Sequence, residues 1–248
     1  MLVAASTECF PELGITAAIE RLDGLEFTNV EIALHEGPNQ LSPVQVAADL
    51  DRAIKTCRDT HRLGIVAYAL KWVETPTYYE EFKSICKLAK ATKVVTLTVG
   101  AAELGTPFNQ EIERLRELVK IASADGIVVG LRTEVGTLTE NADTAMSLCD
   151  NVKGLGIMLD PSHYVCGPWN GRSYDNLLKH VVHCQLRDTK KDRFQVRVGQ
   201  GEIEYGKIIS QLALLDYNRA FSVNITKQDE IDHVGELRKL RLLLESMM

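Results

Sequence analysis

The sequence predicts a single (β/α)8 barrel formed by residues 1–248. Three observations carry that expectation. Short β-like runs alternate with helix-period segments from one end of the chain to the other. The runs are apolar nearly throughout, as parallel strands covered on both faces must be. Their number, eight β/α pairs in 248 residues, is the inventory of such a barrel. A doubly wound sheet is the rival, but no strand-to-helix turn carries a G-x-G-x-x-G or a P-loop.

The predicted strands are 2–6 (LVAAS), 29–34 (NVEIAL), 64–70 (GIVAYAL), 94–99 (VVTLTV), 126–132 (GIVVGLR), 155–160 (LGIMLD), 181–187 (VVHCQLR) and 219–225 (RAFSVNI). Ser42 as N-cap and Pro43 at the first helical position open a helix running to about Arg62. Thr75-Pro76 and Thr106-Pro107 open the next two, and helical segments follow at 138–152, 173–180 and 203–215. The tail HVGELRKLRLLLESMM is an amphipathic helix expected to lay Leu237, Leu240, Leu243 and Leu244 on the barrel. A homo-oligomeric contact there stays open. No low-complexity tract or composition break divides the chain.

Hydrophobic residues make up 45% and charged residues 25%, which is ordinary for a globular protein with a full core. A net charge of −6 argues against general affinity for nucleic-acid phosphates or anionic membranes. The N-terminus has no signal-peptide pattern, and no run approaches the length of a membrane span. The six cysteines are scattered without a C-x-x-C pair, the pattern of buried thiols in a reducing compartment. The expected address is cytoplasmic.

In a barrel of this kind the active site lies at the C-terminal ends of the strands. Those ends collect polar groups: Glu31 on strand 2, with His35 and Glu36 just beyond; Arg132 and Glu134 at strand 5; Asp160 and His163 at strand 6. Strand 7 gives His183, Gln185 and Arg187 on one face by parity, then Asp188, and strand 8 gives Asn224. Several have a plainer alternative. His183 suits a satisfied core histidine, Glu31 a barrel-floor group pairing with a neighbouring strand, Arg187 and Asp188 a mutual pair at a loop edge, and His35 and Glu36 solvated loop positions. The loop 188–202 suits a flap or a plain charged surface loop, and Arg193 and Arg197 a solvated face of it. Asp160 is hardest to dismiss, because a carboxylate ending an apolar strand is costly without partners.

Four markers in order then support a resemblance. NVEIAL, GIMLDPSH with its D-x-x-H ending, VVHCQLRD in the manner of H-x-K-D, and Gly199-Gln200-Gly201-Glu202-Ile203 in the manner of G-x-G-x-I resemble the xylose-isomerase-like barrel superfamily. That superfamily includes sugar phosphate isomerases, ketose epimerases and apurinic endonucleases. Its members bind a divalent metal through Glu, Asp, His and Glu on strands 5 to 8. The matching positions here are Arg132, Asp160, Gln185 and Asn224, of which only Asp160 keeps the ligand. The resemblance also implies that His163 contacts substrate and that Arg187 and Asp188 keep the family's basic and acidic pair.

The expected function is an isomerase or epimerase that abstracts a proton beside the carbonyl of a small sugar or sugar-derived substrate. Arg132, Glu134, Asp160 and His163 are the expected catalytic groups, with Glu31, His183, Gln185, Arg187, Asp188 and Asn224 binding substrate. A permanently charged guanidinium where a ligand belongs points to chemistry without the usual metal, with Arg132 in the ion's place, paired with Asp160 and presenting donors to a substrate oxyanion, so no cofactor is expected. Manganese, magnesium or zinc would need a relocated site at Glu134, Asp160 and His163. The alternative is a sugar-binding barrel without catalysis. A metal-dependent nuclease is disfavoured, because the sequence has neither its many His and Glu ligands nor a basic surface.

Overall fold

A computed structural model describes residues 1–37, 41–71 and 74–248. Eight parallel strands close into a barrel in sequence order: β1 (Leu2–Ser6), β2 (Asn29–His35), β3 (Gly64–Lys71), β4 (Thr96–Val99), β5 (Val128–Arg132), β6 (Leu155–Leu159), β7 (Val181–Leu186) and β8 (Ala220–Val223). β8 closes on β1 through pairs such as Ala5 with Val223. Alternation sends Ile32, Leu97, Leu131, Ile157, Leu186 and Phe221 into the apolar layer beneath the helices. The opposite parity sends Glu31, Thr98, Arg132, His183, Gln185 and Ser222 into the barrel interior, where all are buried. A polar interior above an apolar jacket is what places chemistry at the strand ends.

The helices are α1 (Ile15–Gly24), α2 (Pro43–Ala48), α3 (Leu50–Arg58), α4 (Tyr78–Ala91), α5 (Phe108–Ser123), α6 (Ala142–Asn151), α7 (Ser162–Val165), α8 (Tyr205–Leu214) and α9 (His233–Glu245). Four departures from the sequence-based expectation have local causes. α1 was not anticipated, because Gly14 offers no side-chain cap; burial of Ile15, Ala18, Ile19 and Leu22 holds it. The helix expected over 42–62 breaks at Asp49, whose carboxylate caps the second piece through the Arg52 amide. The segment 138–152 starts as a 3-10 turn before Asn141 recaps it as α6. The stretch near 173–180 is a 3-10 helix, Asp175–His180.

α9 packs on the barrel through Leu237, Leu240 and Leu244, with Leu243 partly buried. The register of β6 on β7 shifts between Ile157 and Met158. The shift brings the Val182 methyls over Gly130 and Gly156, into space a larger residue at 156 would fill. Among the described residues no helix is long and apolar enough to cross a membrane.

Candidate active site

The ends of β1 to β3 and β5 to β8 surround a cavity of about 680 Å3 at the C-terminal mouth of the barrel. Of the residues expected there, Arg132, Glu134, Asp160, His163, Gln185, Arg187 and Asn224 line it. His35 and Glu36, read as solvated loop residues, also border it. Glu31 and His183 lie beneath it in the floor.

Asp160 is the hub of one wall. The Thr133 hydroxyl accepts from its backbone N–H at 2.9 Å, tying the end of β6 to the end of β5. Its Oδ1 accepts the Ser162 amide at 3.0 Å, the first turn of α7, while Oδ2 accepts Arg187 Nη2 at 3.0 Å. Arg187 therefore pairs with Asp160 and not with its neighbour Asp188. Burial alone would raise the Asp160 carboxyl, but the Arg187 guanidinium, then His163 and Ser162, hold it below the usual carboxylate range. It stays an anion.

His163 stands with Nε2 3.8 Å from Asp160 Oδ2. Its Nδ1 faces the backbone N–H of Val135 at 3.1 Å, a fixed donor, so Nδ1 must accept. Burial lowers its pKa, and Arg187 and Arg132 outweigh part of the opposing pull of Asp160 and Glu134. The ring is thus a neutral imidazole whose Nε2–H is a donor. Phe194, from the long 188–202 loop, covers this corner: its ring lies 4.7 Å from that of His163 and 4.8 Å from the Arg187 guanidinium carbon. The loop folds an aromatic lid edge inward.

The floor is one connected network. Glu31, with no exposed surface, bonds to His183, which is 1% exposed, and accepts Gln185 Nε2 at 2.5 Å. Gln185 is therefore oriented with its carbonyl oxygen outward, where it accepts Asn224 Nδ2 at 3.1 Å. The same Asn224 amide reaches Glu8 at 3.0 Å, which leaves its buried Oδ1 without a partner. Glu31 thus fixes which way two cavity-lining amides point.

Arg132 is 6% exposed; Nη2 donates to the Leu70 carbonyl at 3.3 Å and Nε has no partner. Among the described residues no carboxylate lies within ion-pair distance of it, so the expected pairing of Arg132 with Asp160 is corrected: Arg187 has taken that carboxylate. The end of β5 that carries Arg132 is clamped by Thr139, which donates to the Arg132 carbonyl at 2.7 Å and accepts the Glu134 amide at 3.2 Å. The Glu134 carboxylate itself has neither a hydrogen bond nor an ion pair among the described residues.

Asp188, expected to bind substrate, does other work. Its carboxylate accepts the backbone N–H groups of Thr189, Gly199 and Gly201 at 3.1, 2.7 and 2.9 Å. It is buried outside the cavity lining and staples the long loop shut. This explains the G-x-G spacing: Gly199 has φ +85°, and a Cβ at Gly201 would stand on the Asp188 carboxylate. Gly201→Ala is expected to cost about 2 kcal/mol, as overpacking does, and to loosen the loop. Thermal unfolding and limited proteolysis within 188–202 measure both.

Five lining residues were missed, among them Pro11 in the turn after β1. Glu8 sits two past Ser6, so the parity of β1 pointed to it; Lys71, at the very end of β3, had the same signal. Phe194 and Thr226 come from loops, where no periodicity reports direction.

A model of the xylose isomerase-like TIM barrel matches residues 15–245. The chain belongs to that family. A D-tagatose 3-epimerase-like protein superposes with TM-score 0.76 at 19% identity, covering 100% of this chain and 98% of its own. A 3-keto-D-glucoside 4-epimerase from E. coli gives TM-score 0.75 at 14% identity, covering 99% of both chains. A family protein from Mycobacterium smegmatis, in complex with magnesium, gives 0.76 at 16% identity over 100% and 98% of the two chains. At these identities the likeness establishes the fold. No curated protein is similar enough in sequence to count as a relative.

The strand ends that hold a divalent ion in this family do not fit one here. Their donors are a guanidinium, two amides and a single carboxylate, Asp160, already engaged by Arg187. Nor are Glu134, Asp160 and His163 gathered into a ligand set: among the described residues no three His, Cys, Asp or Glu side chains are. His163 in particular has its Nδ1 lone pair taken by the Val135 amide.

Proposed function

We propose that the protein is an isomerase or epimerase that enolises a small sugar or sugar-derived carbonyl compound, with guanidinium groups where relatives use a metal ion. One observation carries the reading. One cavity is lined by Glu134, a carboxylate with no ion pair among the described residues, by Arg132, a buried guanidinium with no described carboxylate at ion-pair distance, and by Arg187, which Asp160 holds in place. Family membership and neighbours named as tagatose and L-ribulose 3-epimerases support the substrate class.

In this reading Glu134 takes the proton from the carbon next to the carbonyl. The C–H electron pair becomes the enediolate double bond and the carbonyl π pair moves onto oxygen. That oxygen receives hydrogen bonds from the remaining N–H groups of Arg187 and from the Nε2–H of His163, both of which Asp160 keeps at the cavity wall. Returning the proton to the former carbonyl carbon, while the hydroxyl proton of the neighbouring carbon passes to the oxyanion, gives an isomer. A proton taken from solvent on the opposite face of the original carbon, with Glu134 releasing its own proton to solvent, gives an epimer. Asp160 is a positioning group: it orients Arg187 and His163 and does not meet the reacting carbon.

Glu134→Gln is expected to remove at least about 100-fold of turnover, the usual worth of a positioned base, while leaving ligand affinity within a few-fold. Deuterium uptake from solvent into a panel of ketoses and aldoses, read by mass spectrometry, checks it. Binding without exchange by the native protein would support a second reading, a sugar-binding barrel. The amides of Gln185 and Asn224, suited to hydroxyl recognition, favour that reading.

A further inference from the structure

The Arg132 corner holds more positive charge than enolisation uses. The enediolate exists only in passing, and Arg187 with His163 already stands by for it next to Asp160. Arg132 differs. It is buried, its Nε is unpartnered, and no described carboxylate neutralises it at rest. Lys71 follows Leu70, whose carbonyl holds the Arg132 guanidinium, and lines the same cavity. Both cations also border an adjoining recess of about 280 Å3, so the corner has room for a substituent beyond the reacting carbons. A buried guanidinium facing open space is costly unless a permanent counter-ion arrives.

We infer that the ligand is an acid, whose carboxylate Arg132 and Lys71 receive, so that the substrate class is a sugar-derived hydroxy or keto acid and not a neutral sugar. The inference rests on the reading of this mouth as the ligand site, and not on catalysis there. A guanidinium matches a planar carboxylate through two parallel hydrogen bonds. A phosphate dianion fits less well, because Glu8, Glu36 and Glu134 line the same mouth and repel each added charge.

Isothermal titration of the full chain decides the matter, with four- to six-carbon aldonates, the aldoses and ketoses of equal carbon number, and their terminal phosphates as probes. At least one aldonate is expected to bind about tenfold or more tighter than its neutral counterpart, the worth of a charge-assisted hydrogen bond. That margin is expected to shrink with added KCl and to vanish in Arg132→Gln and Lys71→Gln, the acid losing far more affinity than its neutral counterpart. Lys71 is exposed, so its variant gives the same reading should Arg132→Gln fail to fold. The inference is overturned if no acid outbinds its neutral counterpart, or if both variants weaken acids and neutral sugars alike. A preference for phosphates overturns the carboxylate assignment. Deuterium exchange confined to neutral sugars would uphold the enzyme and sink the acid; acid preference without any exchange would do the reverse.

Discussion

If the protein enolises its ligand as proposed, replacing Arg132 by glutamine is expected to lower kcat/KM at least about 100-fold, the typical cost of deleting one preorganised electrostatic donor, and to raise the thermal midpoint. The two effects have one cause. The native guanidinium is buried, bonds to one carbonyl and faces no carboxylate at ion-pair distance among the described residues. Its desolvation is not repaid in the free protein, so a shorter neutral side chain relieves the fold while removing the field from the site. The division of the kinetic loss is informative. A partner for a permanent carboxylate shows its absence in KM as well as kcat; a partner for the enediolate alone shows it in kcat. Calorimetric unfolding and initial-rate kinetics on the same preparation measure both. An unchanged rate would remove Arg132 from the mechanism, and a lower midpoint would mean that the guanidinium has a counter-charge in the resting protein.

How much of this could be read from the chain differs between wall and mouth. The barrel was legible because parallel strands covered on both faces are continuous apolar runs, and LGIM or VVHC cannot be mistaken for surface. Strand parity was enough to put Arg132, Glu134, Gln185 and Arg187 at the mouth, and the same rule, carried one step further along β1 and β3, would have found Glu8 and Lys71. Pairing was not legible. Parity places a side chain on a face but says nothing of which neighbour it reaches across the barrel, and strands 6 and 7 bring Arg187 to Asp160 where sequence proximity had suggested Asp188. Loops hid the most. Phe194 reaches His163 only because Asp188 gathers three backbone amides and folds the segment inward, a consequence of φ at Gly199 and of clearance at Gly201 that no hydrophobic pattern announces.

Removing the Glu31 carboxylate is expected to destabilise the protein by about 3–5 kcal/mol, the range for breaking one side of a buried ion-paired network. Glu31→Ala leaves His183 and the Gln185 amide facing each other with no acceptor between them, in the driest part of the barrel. Burial pushes the Glu31 carboxyl up, but the hydrogen bonds and charge of His183, with help from Gln185, bring it below its ordinary value. A carboxyl lowered by folding stabilises fully above its unfolded pKa of about 4.3, and that contribution is lost as pH falls through the folded value. Asp160 has the same sign. Native protein should therefore lose stability steeply in acid, and Glu31→Ala should show a shallower slope there because one of the two carboxyls no longer takes up a proton on unfolding. Denaturant titrations from pH 3 to pH 7 measure the slope; equal slopes for the two proteins would mean that Glu31 is already protonated in the fold. The double replacement of Glu31 and His183 by leucine is expected to recover much of the loss, since an apolar pair leaves no orphaned donor. It would also free Gln185 to turn, and with it Asn224, so ligand affinity should fall even where stability returns. Stability and affinity moving apart in that variant is the signature of a floor that orients the site as well as holding the barrel.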